Sequence, residues 1–196
     1  MIYSKKISDI AVLKSSTKSI CFIYNTLLPT RLTVDDLLNS VKFDNSFKQS
    51  KRMTAYFGLK DYAYSNTYHT KQPIAANPLI KSCFDEIDKL FPEAKVNTVL
   101  LNYYPDGSAT IPFHSDNEPE ICQNSFILTL SIGHTRTLVF REIRSKKHLC
   151  NITLEHNSLI FFTKASQFLY EHSISSQTLD CIHDSRRISL TFRKIK

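Results

Sequence analysis

The sequence predicts a mostly β domain of the α+β class, a sandwich or jelly roll with helices flanking its N-terminal side. Three observations predict it. From residue 95 onward, short β-branched and aromatic runs recur, each bounded by polar or turn residues: "VNTVLLNYY", "SFILTLSI", "RTLVFRE", "NSLIFF" and "RRISLTFRK". Two segments before them carry helix signals instead, and strands that follow helices in this way suit a layered β core. Only 3 glycines occur in the 196 residues, so no glycine-rich phosphate loop is available and P-loop and dinucleotide-binding folds are excluded. The length suits one domain with a real core, and a hydrophobic content of 42% can fill it.

Taken in order, residues 1–50 are mixed and weakly periodic, and read as an extension packed on or leading into a core at 51–196. Within them "TVDDLLNSV" predicts a short helix. Thr33 and Asp36 have capping-box spacing, and Leu37, Leu38 and Val41 give an apolar stripe. A longer helix is predicted in "NPLIKSCFDEIDKLFP", with Asn77 as cap, Pro78 at the first helical position and Pro92 as the stop. Ile80, Phe84, Ile87 and Phe91 recur at helical spacing, as a face packed on a core does. "PDG" after the first strand run is a turn signal.

Lys and Arg number 25 against 18 Asp and Glu, a formal charge of +7. That balance suits a partner carrying phosphate, nucleic acid or an anionic surface, and equally a protein that is simply basic. The 5 cysteines are scattered, with no C-x-x-C pair, which argues against a disulfide framework or structural zinc and for a reducing compartment. No apolar run approaches the ~20 residues of a membrane span. "MIYSKKISDIAVLKSS" lacks the apolar core of a secretory signal. The expectation is a soluble, cytoplasmic protein with no membrane contact.

The chemistry-bearing residues emerge from the rule that side chains two apart on a strand share a face. In "IPFHSDNEPE", His114 and Asp116 do so, either as surface decoration near a turn or as two thirds of a metal site. In "RRISLTFR", Arg187, Ser189, Thr191 and Arg193 fall opposite Ile188, Leu190 and Phe192; taken alone, that is a half-buried strand with a solvated polar face. In "LLNYYPDG", Asn102 and Tyr104 share a face and bring donors suited to a carboxylate. Two His and one carboxylate form the facial triad that holds Fe(II) and leaves positions open. His172 is the candidate third ligand, 56 residues after Asp116 and 15 before Arg187; His183, four residues before Arg187, is the competitor and reads as loop. An isolated H-x-D is weak, whereas H-x-D, a distant His and an Arg on the next strand is far more specific.

The order N-x-Y, H-x-D, distant H, R-x5-R resembles the AlkB-like family of Fe(II)- and 2-oxoglutarate-dependent dioxygenases across about residues 50–196. "RRISLTFRK" looks like that family's terminal strand. "PFHSDNEPE" looks most like the AlkB-type domains of RNA-virus replicases. The resemblance implies a double-stranded β-helix, a jelly-roll core of the cupin-like type. It implies iron on His114, Asp116 and His172, and 2-oxoglutarate held by Arg187, Asn102, Tyr104 and Arg193, with Arg193 also fixing the Asp116 carboxylate. Ser189 stands where cellular members often carry Asn, and its shorter side chain reaches less far toward the near carboxylate of 2-oxoglutarate. The implied reaction consumes O2 and 2-oxoglutarate, yields succinate and CO2, and removes an N-methyl group as formaldehyde.

A methylated base must leave its stack to reach buried iron, and flipped bases are held between aromatic faces. Residues 51–71, "KRMTAYFGLKDYAYSNTYHTK", interleave aromatics with cations and are expected to be the nucleotide-recognition segment. There Tyr64 would stack, with Tyr62 and Arg52 assisting, while Tyr56 and Phe57 read as core. Glu118, two residues past Asp116, would accept from the exocyclic amine of a cationic methylated base, or else is a solvated acid of the turn. The expected partner is methylated RNA or DNA, single-stranded, met by a monomer, with the chain a candidate piece of a viral polyprotein. A hydroxylase of protein or small molecules is the alternative, and a nucleic-acid-binding jelly roll without catalysis is a third reading.

Overall fold

The structure is a computed structural model that describes residues 10–15, 19–24, 32–64, 67–69, 72–122, 125–177 and 184–196. Its N-terminal elements are β1 (Ile10–Ser15), β2 (Ser19–Tyr24), α1 (Val34–Ser40), β3 (Asp44–Phe47), β4 (Arg52–Gly58), β5 (Tyr62–Tyr64), β6 (Thr67–His69) and α2 (Pro78–Leu90). Eight strands follow: β7 (Thr98–Tyr104), β8 (Ile111–His114), β9 (Phe126–Gly133), β10 (Arg136–Glu142), β11 (His148–Leu154), β12 (Ser158–Thr163), β13 (Tyr170–Ile174) and β14 (Arg187–Arg193).

Those eight strands divide between two sheets as a jelly roll does. β12, β9, β14 and β7 form the middle of an eight-stranded sheet ordered β1-β2-β12-β9-β14-β7-β4-β3, and β11-β10-β13-β8 form a four-stranded sheet. All pairings within these two sheets are antiparallel. The expected mostly β fold with flanking helices is therefore present. The sequence, however, places only helices before the core, whereas β1–β4 widen the large sheet at both edges. β4 shows why: six of its seven residues are buried, so it lacks the alternation that marks a half-exposed strand.

Both helices begin as their sequences dictate. Thr33 and Asp36 exchange capping-box hydrogen bonds, and the Asn77 side chain accepts from the N–H groups of Leu79 and Ile80, with Pro78 at the first position. Their apolar faces bury Leu37, Ile80, Cys83 and Ile87 against Val99, Leu101, Leu128, Leu190 and Phe192 of the large sheet. That makes one core on the outer face of the large sheet. A second core lies with Ile127, Leu138, Phe140, Ile152, Ile160 and Phe162, contributed by strands of both sheets. β14 is buried along its whole length, so its polar face is not solvated but turned into the protein.

Candidate metal centre and adjoining cleft

β8 pairs with β13 so that His114 faces His172 and Ile111 faces Ile174. Three steps on β8 thus match two on β13, and the extra residue is a β-bulge. A regular strand would send Ile111 and His114 to opposite faces. The bulge lets both line the same cleft. The His114 Nδ1 lies 2.9 Å from the Pro112 carbonyl oxygen, which can only accept, so Nδ1 carries the proton and Nε2 keeps its lone pair. That Nε2 is 3.6 Å from Asp116 Oδ1.

Asp116 is buried, and its Oδ2 accepts from Arg193 Nη2 at 2.7 Å. Burial works against its charged form, but Arg193 and the two imidazoles outweigh it and hold the carboxyl well below the usual range. The His172 ring lies 4.3 Å from the His114 ring, with Phe140 and Phe162 each 5.5 Å away on its apolar side. Burial, reinforced by His114, pushes the His172 imidazole down to about 3, and burial pushes His114 down as well. Both rings are therefore neutral at physiological pH, the form that ligates metal.

One potential ligand atom from each of His114, Asp116 and His172 lies within 4.8 Å of the other two. The His172 Nδ1 is buried and makes no hydrogen bond among the described residues. Two neutral imidazoles and one ionised carboxylate converging in this way fit a divalent ion of the facial-triad type, and the residues present suit Fe(II).

The cleft continues toward Arg187, which is fully buried. Its Nη2 donates to Ser131 Oγ at 2.9 Å, and its guanidinium carbon lies 5.1 Å from the Tyr104 ring centroid. Its Nε and Nη1 make no hydrogen bond, and no acid pairs with it among the described residues. Burial pulls it down to about 10, with Tyr104 opposing, so it stays protonated at neutral pH. A buried guanidinium with two donors to spare suits a carboxylate brought from outside. The space between Arg187 and the imidazoles measures about 440 Å³ including its open mouth, and Asn102, Ser189, Thr191, Leu138, Ile174 and Phe162 are among the residues of its walls.

The structure thus gathers His114, Asp116, His172, Asn102, Tyr104, Arg187, Ser189 and Arg193 around one cleft. Arg52 lies inside the protein instead of at its surface: it is 2% exposed, donates to Asn102 Oδ1 at 3.0 Å and stacks over Phe47 at 4.1 Å. It is not presented to a phosphate at the surface. Tyr56 and Phe57 are core residues. Glu118 is half-buried in the turn after Asp116 and does not line the cleft. Tyr62 and Tyr64 sit on β5, paired with β6, but their side chains lie outside the described residues, as does His183.

Sequence reasoning missed three residues. Gln167 accepts the Asp116 N–H at 2.9 Å. Arg136, fully buried, donates to the Ala109 and Ser175 carbonyls at 2.8 and 2.6 Å and lies 5.6 Å from the Tyr104 ring centroid. Ser131 holds Arg187. None carries a local motif, and the only available signal was a polar residue inside a mostly apolar run, as Ser131 is in "LTLSIG".

Residues 34–193 match the model of the 2OG-Fe(II) oxygenase superfamily. The chain belongs to that superfamily. Its members use Fe(II), 2-oxoglutarate and O2, and the gathered His, Asp and His stand where such a site needs them. Among curated relatives, the human "Alpha-ketoglutarate-dependent dioxygenase alkB homolog 3" is 27% identical over 157 residues, covering 75% of this chain and 52% of that protein. The bovine "DNA oxidative demethylase ALKBH2" is 30% identical over 151 residues, covering 74% of this chain and 53% of that one. The chain therefore spans about half the length of these relatives. The solved structure of OsALKBH1 superposes with a TM-score of 0.58 at 12% identity, over 94% of this chain and 100% of that one, a likeness of fold.

Proposed function

We propose that this chain is an oxidative demethylase of N-methylated bases in nucleic acid, with RNA as the favoured substrate and DNA the second. The observation that carries it is the cleft itself: neutral imidazoles and an ionised carboxylate at one end, and a buried guanidinium with spare donors at the other. Two groups that bind one ion and one dicarboxylate are thereby set at opposite ends of one cleft. Similarity to chains named as alkB dioxygenase and DNA oxidative demethylase supports nucleic acid over a small metabolite. A net charge of +7 points the same way. RNA rests on the likeness of "HSDNEPE" to the viral domains.

In this reading His114, Asp116 and His172 hold the iron. When bound, the iron supplies the centre at which O2 and 2-oxoglutarate react to give succinate and CO2, with hydroxylation of the N-methyl group, which leaves as formaldehyde. Arg187 binds the far carboxylate of 2-oxoglutarate, and Asn102 and Tyr104 orient it. Arg193 holds one oxygen of Asp116 and so keeps the other turned toward the imidazoles. Ile174, Leu138 and Phe162 make the inner wall apolar and exclude water. Tyr64 and Tyr62 receive the base, which is presented on a single strand to a monomer in the cytoplasm. Residues 51–196 form the catalytic unit, and 1–50 are an extension on it. Among the described residues no helix is long and apolar enough to cross a membrane.

The test is mass spectrometry of methylated RNA and DNA oligonucleotides after incubation with the protein, Fe(II), ascorbate and 2-oxoglutarate. Loss of one methylene's mass from an RNA strand carrying 1-methyladenine or 3-methylcytosine is the expected result. Succinate release with no change in any oligonucleotide would transfer the reading to a hydroxylase of protein or small molecules.

A further inference from the structure

Gln167 lies in the 3-10 turn Lys164–Phe168, which joins β12 to β13 five residues before His172. It is 1% exposed. Its Oε1 accepts the backbone N–H of Asp116 at 2.9 Å, and its Nε2 donates to Ser166 Oγ at 3.0 Å. Ser166 is itself fixed, its Oγ donating to the Thr163 carbonyl at 2.7 Å and its N–H to Thr163 Oγ1 at 3.3 Å. The Gln167 amide is thus held at both ends.

We infer that Gln167 is a positioning residue that ties the segment bearing the carboxylate ligand to the segment bearing the second imidazole. Asp116 lies past the end of β8, so its amide is not part of the β8–β13 ladder that aligns His114 with His172. The Gln167 side chain takes that N–H instead, across 51 residues of sequence. The turn itself does not need the contact, because Ser166 and Thr163 already close it. The acceptor is a neutral amide, which adds no second negative charge beside the buried Asp116 carboxylate. With its backbone fixed by Gln167 and one oxygen held by Arg193, the carboxylate has its other oxygen directed at the imidazoles. Partners that orient a metal's ligands commonly govern affinity by about 10–100-fold.

This rests on the metal reading above, and the experiment separates the two. Mn(II) is titrated into the protein with saturating 2-oxoglutarate, the free ion being followed by electron paramagnetic resonance. The wild type is compared with Gln167→Met, which keeps length but loses the acceptor. Circular dichroism and the Tm of the metal-free proteins report folding. The Met variant is expected to fold and to bind Mn(II) about 10–100-fold more weakly. Unchanged affinity in a folded Met variant overturns the role of Gln167. So does collapse of the fold in the Met variant, because Gln167 would then hold the fold and not the ligand. A wild-type chain that takes up no Mn(II) overturns the metal reading, and this inference with it.

Discussion

The two arginines of β14 sit on one face of one strand, six residues apart, and both are buried. Arg193 has its counter-ion inside the chain: Asp116, at 2.7 Å. Arg187 meets a serine hydroxyl and the face of Tyr104, and no acid among the described residues. Burying a guanidinium is costly unless a partner compensates it. The chain provides that partner at one end of β14 and, among the described residues, not at the other. In the proposed reading one arginine shapes a ligand and the other receives one.

The largest expected effect comes from removing one of the three proposed ligands. His172→Ala should abolish oligonucleotide demethylation and succinate release, both measured by mass spectrometry. Full activity in that variant would show that the ion is held elsewhere.

Breaking the internal pair is expected to cost stability. Arg193→Met leaves Asp116 buried and without its guanidinium, a loss of about 3–5 kcal/mol in chemical unfolding of the metal-free protein. Added Mn(II) should restore part of that loss, because the ion replaces the missing positive charge. Arg187→Met should leave the unfolding free energy nearly unchanged or raised, and should instead weaken 2-oxoglutarate binding on the order of 10²-fold.

The electrostatics also predict a pH dependence for the metal-free protein. His172 is pushed down to about 3 in the folded state, while an unfolded histidine titrates near its ordinary value of about 6.5. The unfolded chain gains a proton first as pH falls, so this contribution to stability is complete above about 6.5 and is lost progressively toward 3. Asp116, whose carboxyl is also held low, acts with the same sign at lower pH. The Tm should fall as pH drops below about 6.5, and His172→Phe should flatten that part of the curve.

The smallest effect is a gain. Ser189→Asn lengthens a polar side chain that lines the cleft between Arg187 and Thr191. One added hydrogen bond of about 1 kcal/mol would tighten 2-oxoglutarate binding roughly fivefold. Isothermal titration calorimetry would resolve that change.

Much of the site was legible because strand alternation is a strict rule. It placed Arg187, Ser189, Thr191 and Arg193 on one face, and that face does line the cleft. The helices were legible because Thr33, Asn77 and Pro78 carry local capping chemistry. The bulge at Pro112–Phe113 was not, since it is defined by the register against β13. Nor was the inward course of Arg52, whose partner Asn102 is 50 residues away. A cation among aromatics reads as surface until the strand is known to be buried on both sides. Gln167 and Arg136 make long-range contacts that leave no periodic trace.

The most direct test is the titration of 2-oxoglutarate into the Mn(II)-loaded protein under anaerobic conditions, read by calorimetry for the wild type and Arg187→Met. One-to-one binding that requires both the ion and Arg187 is the predicted result. Binding of equal strength in the Arg187→Met variant, or in protein stripped of metal, would contradict the account.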